Sequence, residues 1–115
     1  MKKLFSALLL TVSITIGFSF TPNYLTTCTA PQNVAITSIN GGDISFDWDN
    51  CTGGCTEYKV KFYRYEDSYS SGTYLTSSSA FSFSNLPDGT YDFYFATVCD
   101  GQASSFIIIE ETISN

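Results

Sequence analysis

The chain is 115 residues long and carries five basic against eleven acidic side chains, a net charge of −6 at neutral pH. That length holds one domain and leaves no room for a second core, while an acidic field argues against nucleic acid or a membrane surface as partner. Histidine is absent, which removes the usual general base and the serine and cysteine triads built on it.

The chain opens with Met1, Lys2 and Lys3, a short positive region, and continues into an apolar stretch from Leu4 to Phe20 broken only by small hydroxylated residues and Gly17. This is the pattern of a bacterial export signal. Gly17 and Ser19 offer small residues at the spacing a signal peptidase reads, so residues 1–19 are expected to be a cleaved signal peptide, 20–28 a short linker and 29–115 the domain. Cleavage leaves Lys59, Lys61 and Arg64 facing all eleven acids, a net charge of −8. The apolar run is just short of a comfortable bilayer span, so the expectation is a secreted, cell-surface or periplasmic protein with no membrane insertion after cleavage, and a retained helix is the alternative. Leu25, Thr26 and Thr27 before Cys28 are loosely like a lipid-attachment box. However, Thr stands where Gly, Ala or Ser is usual, so a lipoprotein anchored through Cys28 is the lesser reading.

From Thr29 onward apolar residues recur with a period of two, the rhythm of half-buried strands, and no helical period is present. Val34 and Ile36 begin a first strand; Asn40, Gly41 and Gly42 mark a turn; Ile44, Phe46 and Trp48 alternate with Ser45, Asp47 and Asp49 in a second. After a loop from Asn50 to Glu57, Tyr58, Val60 and Phe62 alternate with Lys59, Lys61 and Tyr63. Thr73 to Thr76 fits a short edge strand, and Phe81, Phe83 and Leu86 supply the next inward set. Tyr91, Phe93, Phe95 and Thr97 then alternate with Asp92, Tyr94, Ala96 and Val98. A last strand runs from Phe106 through Ile109 towards Thr112, and its three consecutive isoleucines suit either burial on both faces or contact with another molecule. The total is seven strands, an all-β fold.

Four cysteines in so small a domain read as disulfides in an oxidising compartment and allow three pairings. Cys99 is in phase with Tyr91, Phe93 and Phe95 and should point inward. The spacing of Cys51 and Cys55, with no histidine, does not suit zinc. Asp47 and Asp49 flank Trp48 and point the same way, about 7 Å apart, which would suit a carboxylate pair but fits better the wet side of a half-buried strand. Asp43, Asp47, Asp49, Asn50 and Glu57 offer hard oxygen ligands for calcium, yet their order matches no known loop. No metal, cofactor or catalytic residue is assigned, and an enzyme is not expected.

Pro31 before the first strand, Trp48 in the second, Tyr58 with Val60 in the third, and the run Leu86, Pro87, Asp88, Gly89, Thr90, Tyr91 leading into the sixth together resemble the fibronectin type III family over nearly the whole chain after residue 27. The resemblance implies a seven-stranded immunoglobulin-like β-sandwich. In it Trp48, Tyr58 and Leu86 fill the core and Tyr91 forms a corner, its hydroxyl bonding back to nearby backbone. Cys28 and Cys99 match a variant found in exported bacterial proteins, which implies a Cys28–Cys99 bridge and, with it, a Cys51–Cys55 bridge across Thr52, Gly53 and Gly54.

The family topology also makes the third and sixth strands neighbours. Lys59, Lys61, Tyr63, Tyr65 and Tyr94 would then share one outward face, the candidate contact surface. The plainer alternative is a set of cross-strand pairs that stabilise the sheet, with the lysines bridged to acids. The function expected is that of an exported, non-catalytic binding or adhesion module acting on an unknown protein; a carbohydrate-contact module that stacks Tyr63, Tyr65 and Tyr94 on sugar rings is the alternative.

Overall fold

The computed structural model describes residues 28–115; the expected signal peptide, its expected cleavage site and most of the expected linker lie outside them. Nine strands follow in order: β1 (Ala35–Asn40), β2 (Asp43–Asp47), β3 (Cys55–Arg64), β4 (Tyr69–Ser70), β5 (Tyr74–Thr76), β6 (Ala80–Phe83), β7 (Gly89–Cys99), β8 (Gln102–Ala103) and β9 (Ile107–Ile113). Seven of them are the strands expected. The two extra ones, β4 and β8, are two-residue pairings at the edges of β3 and β7, too short to leave a period in the sequence.

The strands form two antiparallel sheets, one ordered β1-β2-β6 and the other centred on β3 and β7, with β4 and β5 pairing β3 and with β8 and β9 pairing β7. Asn40 pairs with Asp43 across Gly41 and Gly42. Gly41 has φ +59, the positive angle a primed hairpin turn requires. Gly42 is needed for a different reason: a Cβ there would stand 2.5 Å from the carbonyl oxygen of Leu86, and its own carbonyl accepts the Leu86 N–H at 2.9 Å.

A register shift between Ile36 and Ser38 lets Ile36 face Phe46 and Ile39 face Ile44. The two isoleucines are three residues apart and would fall on opposite faces of a regular strand; the bulge at Thr37 puts them in phase. The second strand, expected to run through Asp49, ends two residues earlier, at Asp47. Trp48 lies just past β2 and its N–H donates to the Ser79 carbonyl at 3.0 Å, while the next N–H, of Asp49, donates to that of Gln32.

The inward residues of both sheets interdigitate as a sandwich requires. Phe46 from one sheet sits 5.0 Å from Phe93 and 4.8 Å from Phe95 of the other, and Trp48 packs on Tyr58 at 5.2 Å and on Phe95 at 5.4 Å. Ile44, Val60, Phe83, Leu86 and Ile113 complete the buried cluster. At roughly 1.5–3 kcal/mol for each large apolar side chain taken out of water, this aromatic layer is the principal stabilising contribution. Tyr91 is fully buried, and its hydroxyl donates to the Pro87 carbonyl at 2.6 Å. This is the corner expected of it.

Candidate functional site

The β3–β7 ladder builds the candidate face. Lys59 stands opposite Ala96, Lys61 opposite Tyr94 and Tyr63 opposite Asp92. Directly opposed residues project to the same side of a sheet, so the outward residues of β3 are brought beside those of β7. Ile108 of β9 lies opposite Tyr94 on the other flank, and Leu75 of β5 lies opposite Lys59.

Two clusters result. In the first, the Lys61 ammonium lies 5.1 Å from the centre of the Tyr94 ring and 5.0 Å from that of Phe106, and the two rings meet edge to face at 5.6 Å. Each such cation–ring contact contributes about 0.5–1 kcal/mol at a wet site. In the second, Tyr63 and Tyr65 pack edge to face at 5.5 Å, and the Tyr65 hydroxyl donates to Oδ2 of Asp92 at 2.8 Å. The hydrogen bond to that carboxylate, then desolvation and the negative charges of Asp92 and Glu110, push the Tyr65 phenol up to about 12.

The expectation that the lysines bridge to acids is corrected for Lys61, which faces aromatic rings. Among the described residues the one salt bridge joins Arg64 to Asp67 at 3.1 Å. Tyr63, Tyr94, Lys59 and Lys61 are half-buried and Tyr65 is exposed. Four residues of this face were missed by sequence reasoning: Leu75, Asp92, Phe106 and Ile108. Ile108 and Leu75 are its most exposed apolar members, at 53% and 56%. Alternation in β7 and β9 places Asp92 and Ile108 outward, so a signal for these two existed. Phe106, read from the sequence as the start of the last strand and in phase with Ile108, lies just before β9, which begins at Ile107. Ala96 and Val98 also alternate outward, yet both are buried.

The four cysteines gather at the far end of β7 from Tyr91. Cys28 is bonded to Cys99 with Cα atoms 5.6 Å apart, and Cys51 to Cys55 at 6.2 Å. The Tyr58 hydroxyl accepts the Cys51 N–H at 2.9 Å, so this core tyrosine also anchors the short loop. Asp43 and Asp49 are engaged in the frame: Asp43 accepts the Asn85 N–H at 3.0 Å, and Asp49 accepts from the Asn33 side-chain amide at 2.7 Å. Among the described residues no group of three or more histidine, cysteine or acidic side chains is placed to hold a metal ion.

Two antiparallel sheets in this order, a buried tryptophan and a tyrosine corner define an immunoglobulin-like sandwich, and solved structures make the class more specific. FN3tt superposes with a TM-score of 0.64 at 22% identity, over 78% of this chain and 98% of that one. The fn3 domain of human collagen alpha-1(XX) superposes with a TM-score of 0.67 at 12% identity, over 80% and 90%. Domains d3–d4 of the rat CD45 extracellular region do so at 0.62 and 14%, over 79% of this chain and 54% of that one. No protein-family model and no curated protein matches the sequence. The fold is that of a fibronectin type III domain.

Proposed function

We propose that the chain is an exported, non-catalytic binding module that engages a protein partner through the outer face of the β3–β7–β9 sheet. The observation that carries this reading is the Lys61 ammonium set between Tyr94 and Phe106, beside the exposed Ile108. Exposed and half-buried aromatic and aliphatic side chains on one sheet face, here gathered around a half-buried lysine, are the kind of surface that interfaces use, and this group lies on a chain that is otherwise strongly acidic. Export is supported by the two bridges, which need an oxidising compartment, and by the occurrence of the fold in the extracellular region of rat CD45. The absence of histidine and the structural employment of Asp43 and Asp49 support a non-catalytic role.

The test places a photo-crosslinking residue at Ile108 or, as control, at Ser45 on the outer face of the opposite sheet. A protein adduct at 108 that is absent at 45 and is lost in Lys61→Ala/Tyr94→Ala is the expected result; equal adducts at both positions refute the contact face. Tyr65, exposed and with its hydroxyl fixed by Asp92, favours sugar stacking as a second reading. Glycan-array binding abolished by Tyr65→Ala would establish that one. The mass of the exported protein should correspond to a chain beginning at Phe20, with no lipid on Cys28.

A further inference from the structure

The β3–β7 register joins the two disulfides. Cys55 and Cys99, one from each bridge, are directly opposed partners across the ladder. Opposed residues of an antiparallel pair have Cα atoms about 4.5–5.5 Å apart and side chains on the same face, which is within the roughly 4.4–6.8 Å that a disulfide spans. Cys55–Cys99 is thus a third bridge whose two residues the ladder sets opposite each other, beside the register shift between Cys55 and Glu57.

A second observation points to the same place. A cleft of about 190 Å³ opens beside the bridges, lined by Cys51 from one and Cys99 from the other with Pro31, Tyr58 and Thr97, and Cys55 lines the adjoining cleft that shares Cys51 and Tyr58. Thr97 is buried, and its hydroxyl has no hydrogen-bond partner. Access is easiest at the short ring. Thr52, Gly53 and Gly54 are exposed, and beyond the adjoining residues of the chain nothing lies within 4 Å of where a Cβ on either glycine would stand. Cys51 is held by the Tyr58 hydroxyl and Cys55 by the β3 ladder, so opening the ring leaves both halves of the site in place.

We propose that the four cysteines form one thiol–disulfide exchange site, in which an external dithiol opens Cys51–Cys55 and the freed Cys55 thiolate displaces Cys28 from Cys99. The dithiol's first thiolate attacks the Cys51 sulfur and Cys55 leaves as thiolate. The dithiol's second thiolate resolves the mixed disulfide, releasing Cys51 as a thiol and the reagent as its own disulfide. Cys55 then attacks the Cys99 sulfur, the Cys28–Cys99 bond breaks, and Cys28 leaves as a thiolate that takes up a proton. Two electrons and two protons pass from the dithiol to the protein, which ends with one bridge, Cys55–Cys99, and thiols at Cys28 and Cys51. The chemistry is ordinary exchange, governed by access and by which sulfur is attacked. Its consequence is mechanical: the segment before β1 loses its covalent tie to β7.

The experiment treats the natively oxidised protein with one equivalent of dithiothreitol, alkylates the thiols, and maps the single-bridge species by mass spectrometry without further reduction. The expected major species links Cys55 to Cys99 with Cys28 and Cys51 alkylated, and Cys55→Ser should show no Cys28 released by the same treatment beyond the direct reduction of its own bridge. A single-bridge species that keeps Cys28–Cys99 or Cys51–Cys55 as the major form overturns the proposal. Cys51→Ser gives an independent reading without reductant: part of the population should carry Cys55–Cys99 and a free Cys28. Quantitative retention of Cys28–Cys99 beside a free Cys55 would again overturn it. If Cys51→Ser does not fold, the wild-type map decides alone.

Discussion

The two ends of β7 are closed by different chemistry. At the Tyr91 end the ladders run to completion: β9 pairs with β7 as far as Gly89 opposite Ile113, the β1–β2 hairpin closes beside it, and the corner is tied by hydrogen bonds. Tyr91 donates to Pro87, the Arg64 guanidinium donates to the Asp88 carbonyl, the Glu66 carboxylate accepts the Thr90 N–H at 3.0 Å, and Asp88 accepts from the backbone and side chain of Asn115 at 2.8 Å. At the cysteine end the ladders stop short. β9 begins at Ile107 opposite Phe95, leaving Ala96 to Cys99 flanked on that side only by the two-residue β8, and β2 ends at Asp47. Both bridges lie at the end where β7 has lost its β9 partner and keeps β3. Covalent bonds there do what completed strands do at the other end.

The largest effect should come from breaking the long bridge. Cys28 and Cys99 are 71 residues apart, and on the chain-entropy account a loop of that size contributes about 4 kcal/mol, so Cys28→Ser/Cys99→Ser should lose that much in urea unfolding. The short bridge, with a separation of 4, contributes about 2 kcal/mol on the same account, and Cys51→Ser/Cys55→Ser should fall by no more than that. Equal losses would mean that the short ring does more than restrict the unfolded chain. At the other end, Tyr91→Phe removes one hydrogen bond at a buried site and should cost about 1–2 kcal/mol. Desolvation raises the Tyr91 phenol above its ordinary value, although Arg64 acts in the opposite sense. The fold therefore favours the neutral phenol: this contribution is complete below about pH 10, the unfolded value, and is lost as pH rises through the higher folded value. Stability measured from pH 9 upward should fall more steeply in the wild type than in Tyr91→Phe.

The same contrast explains what the sequence made legible. Tyr58 could be placed because an antiparallel strand imposes a strict period of two, Trp48 because that period continues one residue past β2, and Leu86 and Tyr91 because the corner has a recognisable run of residues. The misplacements fall where that period is interrupted. The bulge at Thr37 shifts phase within β1, Ala96 and Val98 are buried where alternation puts them in water, and Phe106 reaches Lys61 from outside any strand. The partner of Lys61 illustrates the limit most directly. Charge alone assigns it an acid in a chain this acidic, whereas the register puts Tyr94 opposite it, and only the path of the chain after β8 brings in Phe106. The opposition of Cys55 to Cys99 was equally hidden, since it depends on the irregularity between Cys55 and Glu57.

The smallest effect isolates the corner end of the contact face. Tyr65 is exposed, and its N–H donates to the Thr90 carbonyl at 3.0 Å, so the closed corner fixes its backbone while Asp92 holds its hydroxyl. With the phenol pushed up to about 12 by that hydrogen bond first and by desolvation second, ultraviolet titration of the phenolate should show one tyrosine ionising near pH 12. Asp92→Asn removes the charged acceptor and should bring this group back towards the ordinary value, about 10. The sign follows from a raised folded value: the hydrogen bond persists below the unfolded value and is lost as pH rises through about 12. Because the site is open to water, global stability should scarcely change in Asp92→Asn. An unshifted high-pH titration in that variant would show that something other than the carboxylate holds Tyr65, and would remove the reason to treat Tyr63 and Tyr65 as a fixed platform.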